Sequence, residues 1–191
     1  GAMSRMSSNL NSSFQRQGGF FSAMLRKMFG GESFFLGKYE HPDGGKLTFA
    51  PASPGSVQHY KLSNNNINIM AGAFLACTPE VNVKAKFGGF KALFSGEGAF
   101  LLEASGNGDL FFNSFGGIVE KEINGEFIVD TGHVVAFEPS LNYRISGMGN
   151  WKSTMLSGEG LVMTFSGAGK IYLQTRTIGG IASWLTPRLL G

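Results

Sequence analysis

Little of this sequence is charged, and only one residue carries a thiol. Cys77 is the lone cysteine among 191 residues. No disulfide can form within the chain, and a reducing compartment suits it. Charged residues make up 15%, against about 25% in an ordinary globular domain. The net charge is only +3, and Arg26-Lys27 is the longest basic run. That lacks the dense Lys/Arg stripe of a nucleic-acid binder. No run approaches the ~20 apolar residues that a membrane helix needs. HxH, HExxH and CxxC spacings are all missing, so no common zinc motif is present.

What the chain has is glycine and phenylalanine, 29 and 18 of them. Glycine punctuation between short Phe/Val/Ile/Leu runs predicts an all-β protein. The chain also repeats itself. MFGGESFFL (28–36), LFSGEGAFL (93–101) and MLSGEGLVM (155–163) align, with Glu32, Glu97 and Glu159 spaced 65 and 62 residues apart. An aromatic, a basic residue and a short apolar tail precede each motif. HPDGGKLTF (41–49), SGNGDLFF (105–112) and SGAGKIYL (166–173) follow, and read as hairpin turns. AGAFLAC (71–77) and TGHVVAF (131–137) open the second and third copies with a strand. Only GAMSRM matches them at the start, so the chain is expected to begin inside its first repeat.

These spacings predict one domain of three units: 1–70 (N-terminally incomplete), 71–130 and 131–178, with a helical tail over 179–191. Three like units pack most simply about a pseudo-threefold axis, as a short double-stranded β-helix or a sandwich-like assembly. The glycines of each motif would allow a bulge or bend. Residues 20–28 suit a short helix capped by Ser22. In the tail, Ile181, Trp184 and Leu185 share a helical face, and Pro187 is expected to kink or end that helix. LSNNNINI (62–69) reads as a turn entering a strand. Ile171 and Leu173 alternate with Tyr172 and Gln174, as in a half-buried strand.

Together FGGESFFLGKY, GGKLTFAPASPGSV, GAFLA, LFSGEGAFLL, VDTGHVVAFEPSLNYRI and SGEGLVMTFSGAGKIYLQTRT resemble a family that includes the yeast altered-inheritance-of-mitochondria protein and many bacterial homologues. The likeness runs over residues 1–191. The resemblance implies a further N-terminal segment of about a strand pair ahead of GAM, as family members usually carry, and the sequence is expected to depart from them there. The resemblance implies a fold like that of the tryptophan RNA-binding attenuation protein. It brings neither that protein's tryptophan pocket nor its RNA contacts to any position here, because fold alone does not carry function. It also implies a scaffold-like role, mitochondrial in a eukaryote and cytoplasmic in a bacterium.

Candidate chemistry is sparse. A threefold axis could gather Glu32, Glu97 and Glu159 into a cation-holding ring. The plainer expectation is that each bonds its own bulge, or a neighbour such as Lys27, Lys91 or Lys152. His133, in Asp130-Thr131-Gly132-His133, lacks a nucleophile nearby in sequence and matches Ala73 of the second unit, so it reads as structural. SGAGKIY fails as a phosphate loop, having Thr164 where the first glycine belongs and Ile171 after Lys170. Cys77 reads as an inert thiol in an apolar strand. The expectation is a protein without enzyme activity, cofactor or metal that self-assembles into a trimer or ring. The competing one is a module that binds RNA or a small ligand in grooves between repeats, through Lys84, Lys86 and Lys91.

Overall fold

Glycine shapes this molecule chiefly by letting strands bend in mid-course. The computed structural model describes residues 2–16, 35–86, 101–147 and 161–189. Its strands are β1 (Met3–Met6), β2 (Asn11–Arg16), β3 (Phe35–Glu40), β4 (Leu47–Phe49), β5 (Val57–Met70), β6 (Phe74–Cys77), β7 (Val81–Lys86), β8 (Leu101–Asn113), β9 (Ile118–Asp130), β10 (Val134–Phe137), β11 (Asn142–Gly147) and β12 (Leu161–Gln174). One helix, α1 (Ile178–Leu189), follows. The protein is therefore mostly β, with open sheets and a short C-terminal helix. Residues 20–28 and the three glycine–glutamate motifs lie outside the described residues, apart from the strand residues that follow each motif.

All pairing between these strands is antiparallel. β5 lies along the whole of β8, and β9 along the whole of β12. The other edge of β8 takes β7 and β6, and the other edge of β12 takes β11 and β10. β10 also pairs with β5, through Ala136↔Ile69 and Phe137↔Asn68, which joins these eight strands into one sheet. β1–β4 and β2–β3 form two separate two-stranded sheets.

Alternation along β8 aims Leu102, Ala104, Leu110 and Phe112 into one core with Leu62, Ile67, Ile69 and Val83. A second core gathers Leu101, Phe137, Met163, Phe165 and Ile171. Tyr172 belongs to the first core and is only 4% exposed. The half-buried alternation expected there does not hold, because β12 is covered on both faces at Ile171–Tyr172.

Two of the three expected hairpin turns are not turns. SGNGDL and SGAGKIY lie inside β8 and β12, where Gly106 and Gly167 take φ of +125° and +113°. Backbone of this kind is open to glycine and strained for other residues. A Cβ on Gly106 would strike the carbonyl of Glu80, and one on Gly167 would meet Ser140 O at 3.2 Å. Glycine serves close passage of the neighbouring strand here. Only HPDGG turns, with Gly44 N–H donating to His41 C=O at 3.0 Å. Likewise LSNNNINI is a bulge within β5. Asn64 takes φ of +56°, and Asn65 Oδ1 accepts from Ser63 N–H at 2.8 Å. Asparagine supplies the left-handed residue, as it would in a turn.

AGAFLAC and TGHVVAF each begin with a 3₁₀ turn (Ala71–Ala73, Thr131–His133) before their strand starts. One bond pattern then recurs. Thr78 N–H donates to Asp109 C=O at 2.9 Å, and Asp109 N–H donates back to Thr78 Oγ1 at 3.0 Å. Glu138 and Lys170 make the same exchange at 3.0 and 2.8 Å, and Ser7 and Lys46 at 2.8 Å both ways. The short strand before each pair carries a register shift, at Met3/Arg5, Phe74/Ala76 and Val134/Ala136.

Helix α1 begins with a cap the sequence reading overlooked: Gly180 N–H donates to Thr177 Oγ1 at 3.0 Å, the usual threonine cap geometry. It does not end at Pro187 but runs two residues further. None of its residues is buried.

Candidate functional site

Site residues expected from the sequence fall on either side of what the structure describes. Glu32, Glu97, Glu159 and Lys91 lie outside the described residues. Lys84 and Lys86 stand on β7 beside β8, where register decides their role. Lys84 is directly opposite Glu103, and so is Asn68 on the other flank. The Lys86 ammonium forms an ion pair with the Glu103 carboxylate. Asn66 Nδ2 donates to the same oxygen at 3.2 Å, and Lys86 also reaches Asn68 Oδ1 at 3.5 Å. Lys86 is thus part of a cross-strand polar ladder.

The hydrogen bond from Lys86, first, holds the Glu103 carboxyl below its ordinary 4.5. A carboxyl lowered in this way stabilises the fold above its unfolded pKa. That contribution fades as pH falls through the folded value. Glu103→Gln is expected to lower stability at pH 7 by less than about 1 kcal/mol, because the pair is partly solvated. The gap between variant and parent should close as the solution is acidified towards about pH 3. Thermal melts across that range check it. A gap that widened in acid would contradict the ladder.

His133 and Asp130 both bond to nearby backbone. Asp130 Oδ1 accepts from Gly132 N–H at 2.6 Å, closing the 3₁₀ turn. His133 Nδ1 lies 2.7 Å from the Gln174 carbonyl, which can only accept, so Nδ1 carries the proton. Gln174 has a role that no motif marks. Its amide donates to Gly132 C=O at 2.7 Å and accepts from Phe115 N–H at 2.9 Å, tying the turn to the β8–β9 connection. Cys77 is half-buried, and burial pushes its thiol pKa up, away from reactivity.

Register also assembles a cluster that sequence reading missed. His59 Nε2 lies 2.8 Å from Asp109 Oδ1, and Lys61 Nζ lies 3.2 Å from both carboxylate oxygens. His59 stacks on Phe111 at 5.0 Å. The bond from His59, then that from Lys61, lowers the Asp109 carboxyl pKa. On β9 and β12, Lys170 pairs with Glu120 at 2.7 Å. Burial, then the Glu120 charge, pushes the Tyr172 hydroxyl well above its usual range.

A cleft of about 140 Å³ lined by Glu126, Asn142, Tyr143, Arg144, Thr164 and Ser166 is well below the roughly 300 Å³ at which ligand pockets begin. Among the described residues no three His, Cys, Asp or Glu side chains are placed to hold a metal. None of their buried side-chain polar atoms lacks a partner. No described helix is long and apolar enough to cross a membrane.

A family model described as mitochondrial biogenesis AIM24 matches residues 1–176. An uncharacterized protein of Streptococcus pyogenes serotype M6 is 33% identical over 183 residues, covering 94% of this chain and 74% of the relative. The crystal structure of a Streptococcus pyogenes protein superposes with a TM-score of 0.81 at 29% identity, covering 98% of this chain and 86% of that one.

Proposed function

We propose that this chain, which belongs to the mitochondrial biogenesis AIM24 family, is a non-enzymatic scaffold that assembles with copies of itself. The observation that carries this is helix α1. Ile178, Ile181, Trp184, Leu185 and Leu189 are all exposed on it, Trp184 by 56%. Apolar surface concentrated on one terminal helix marks an interaction site more often than chance. Arg188, 4.3 Å over the Trp184 ring, supplies the Trp/Arg pairing common at interface hot spots.

The scaffold is three copies of one β unit about a pseudo-threefold axis, a plan akin to the tryptophan RNA-binding attenuation protein. Two features support it. The reciprocal bond pair and the shifted short strand occur three times. The three chain connections also meet: Gly116 N–H donates to Pro54 C=O at 2.9 Å, and Arg176 N–H to Phe115 C=O at 3.2 Å. A closed ring of such chains hides sheet edges that would otherwise recruit further strands. The family's name suggests a mitochondrial-biogenesis association in eukaryotic members. There the scaffold would organise partners without transforming them.

Light scattering tests this directly. The chain should run well above its 20.4 kDa monomer mass at micromolar concentration. The Ile181→Asp/Trp184→Asp double variant should fall towards it, since charged groups cannot enter a desolvated contact cheaply. A parent chain that is monomeric would overturn the proposal.

A further inference from the structure

β10 shows how a short strand is used twice. One edge pairs with β12, and the other reaches β5 just before its 3₁₀ turn, at Ile69 and Asn68. β9 stands where β5 stands: a long strand that ends two residues beyond Ile128 in a 3₁₀ turn. Among the described residues β9 pairs only with β12, and none of them covers its outer edge. β1 stands where β10 stands, since Met6 and Phe137 each close a shifted strand beside the reciprocal bond pair. β1 pairs only with β4 among the described residues.

The two edges match in chemistry. Met6 is 40% exposed and Ile128 58%, whereas Asn68, the counterpart of Ile128 that β10 covers, is 5% exposed. Charge is complementary as well. β9 carries Glu120, Glu122, Glu126 and Asp130 against Lys121, while residues 2–16 contain Arg5 and Arg16 and no acid. We infer that β1 of a second copy docks antiparallel on the outer edge of β9, with Met6 opposite Ile128 and Arg5 opposite Val129. The contact is head-to-tail, and such contacts build rings when the rotation closes. This rests on the self-assembly proposed above and names one of its interfaces.

Opposed residues in an antiparallel pair lie within disulfide reach. In a Cys77→Ala background, Met6→Cys and Ile128→Cys chains would be made separately, mixed and oxidised. A disulfide joining positions 6 and 128 of different chains, found by peptide mass spectrometry, is the expected result. Its absence from an oligomeric mixture overturns the β1–β9 contact and leaves self-assembly standing. A mixture that is monomeric throughout overturns both. In a chain carrying both substitutions, closure within one molecule alone also overturns the contact. Hydrogen exchange on the unaltered protein needs no variant. Amides of residues 127–130 should exchange about tenfold more slowly at ten times the dissociation constant than in dilute solution. Exchange independent of concentration in an oligomeric sample counts against the contact.

Discussion

Replacing Phe112 with alanine is expected to cost about 3–5 kcal/mol of folding stability. The side chain is fully buried, and its ring meets Tyr172 edge-on at 5.3 Å. That contact links β8 to β12, so the cavity would open where the two halves of the large sheet share a core. Neither flank is free to collapse, because β5 and β6 grip β8 on both sides at this level: Gln58 and Phe74 are its direct partners. A loss of this size is a large share of the roughly 5–15 kcal/mol that holds a domain folded. Urea denaturation should show a lower midpoint with an unchanged slope. Phe14→Ala is the control, because Phe14 is 80% exposed; it should change stability by less than about 0.5 kcal/mol. If both variants behaved alike, Phe112 would not belong to the core described.

Gly106→Ala should cost about 2–4 kcal/mol, the sum of two separate penalties. A side chain at φ +125° is strained by roughly 1–3 kcal/mol. The added carbon also collides with the Glu80 carbonyl, and relief requires moving backbone, at about 1 kcal/mol or more. Gly125 separates the two effects. Its φ is +113°, but nothing lies within 4 Å of its would-be Cβ. Gly125→Ala should therefore carry the strain alone, about 1–2 kcal/mol. Thermal melts of both variants should place Gly106→Ala clearly below Gly125→Ala. The reverse order would mean that the chain entering β7 at Glu80 does not pass β8 closely at this point.

Some of this was legible in residues alone and some could not be. Phe/Gly composition pointed to sheets, and the spacing of AGAFLAC and TGHVVAF located the starts of two equivalent strand pairs. SGNG and SGAG misled because glycine at positive φ looks the same in a turn and in a strand that another strand crosses. The difference lies in Glu80 and Ser140, which are distant in sequence. The same holds for Glu103, Asp109 and Gln174, whose partners are fixed by pairing register that a single sequence does not display. LSNNNINI looked like a turn because the left-handed backbone that Asn64 takes inside a bulge of β5 is the one a turn would also use. Tyr172 looked half-exposed because the rings that cover it, Tyr60 and Phe112, lie on β5 and β8.

Native mass spectrometry of the intact chain reports assembly and cargo in a single spectrum. A scaffold of this kind should appear as a defined multiple of 20.4 kDa, threefold or a larger ring, with no co-purifying small molecule. A single 20.4 kDa species, above all one carrying a stoichiometric ligand, would contradict self-assembly and favour a ligand-binding module instead.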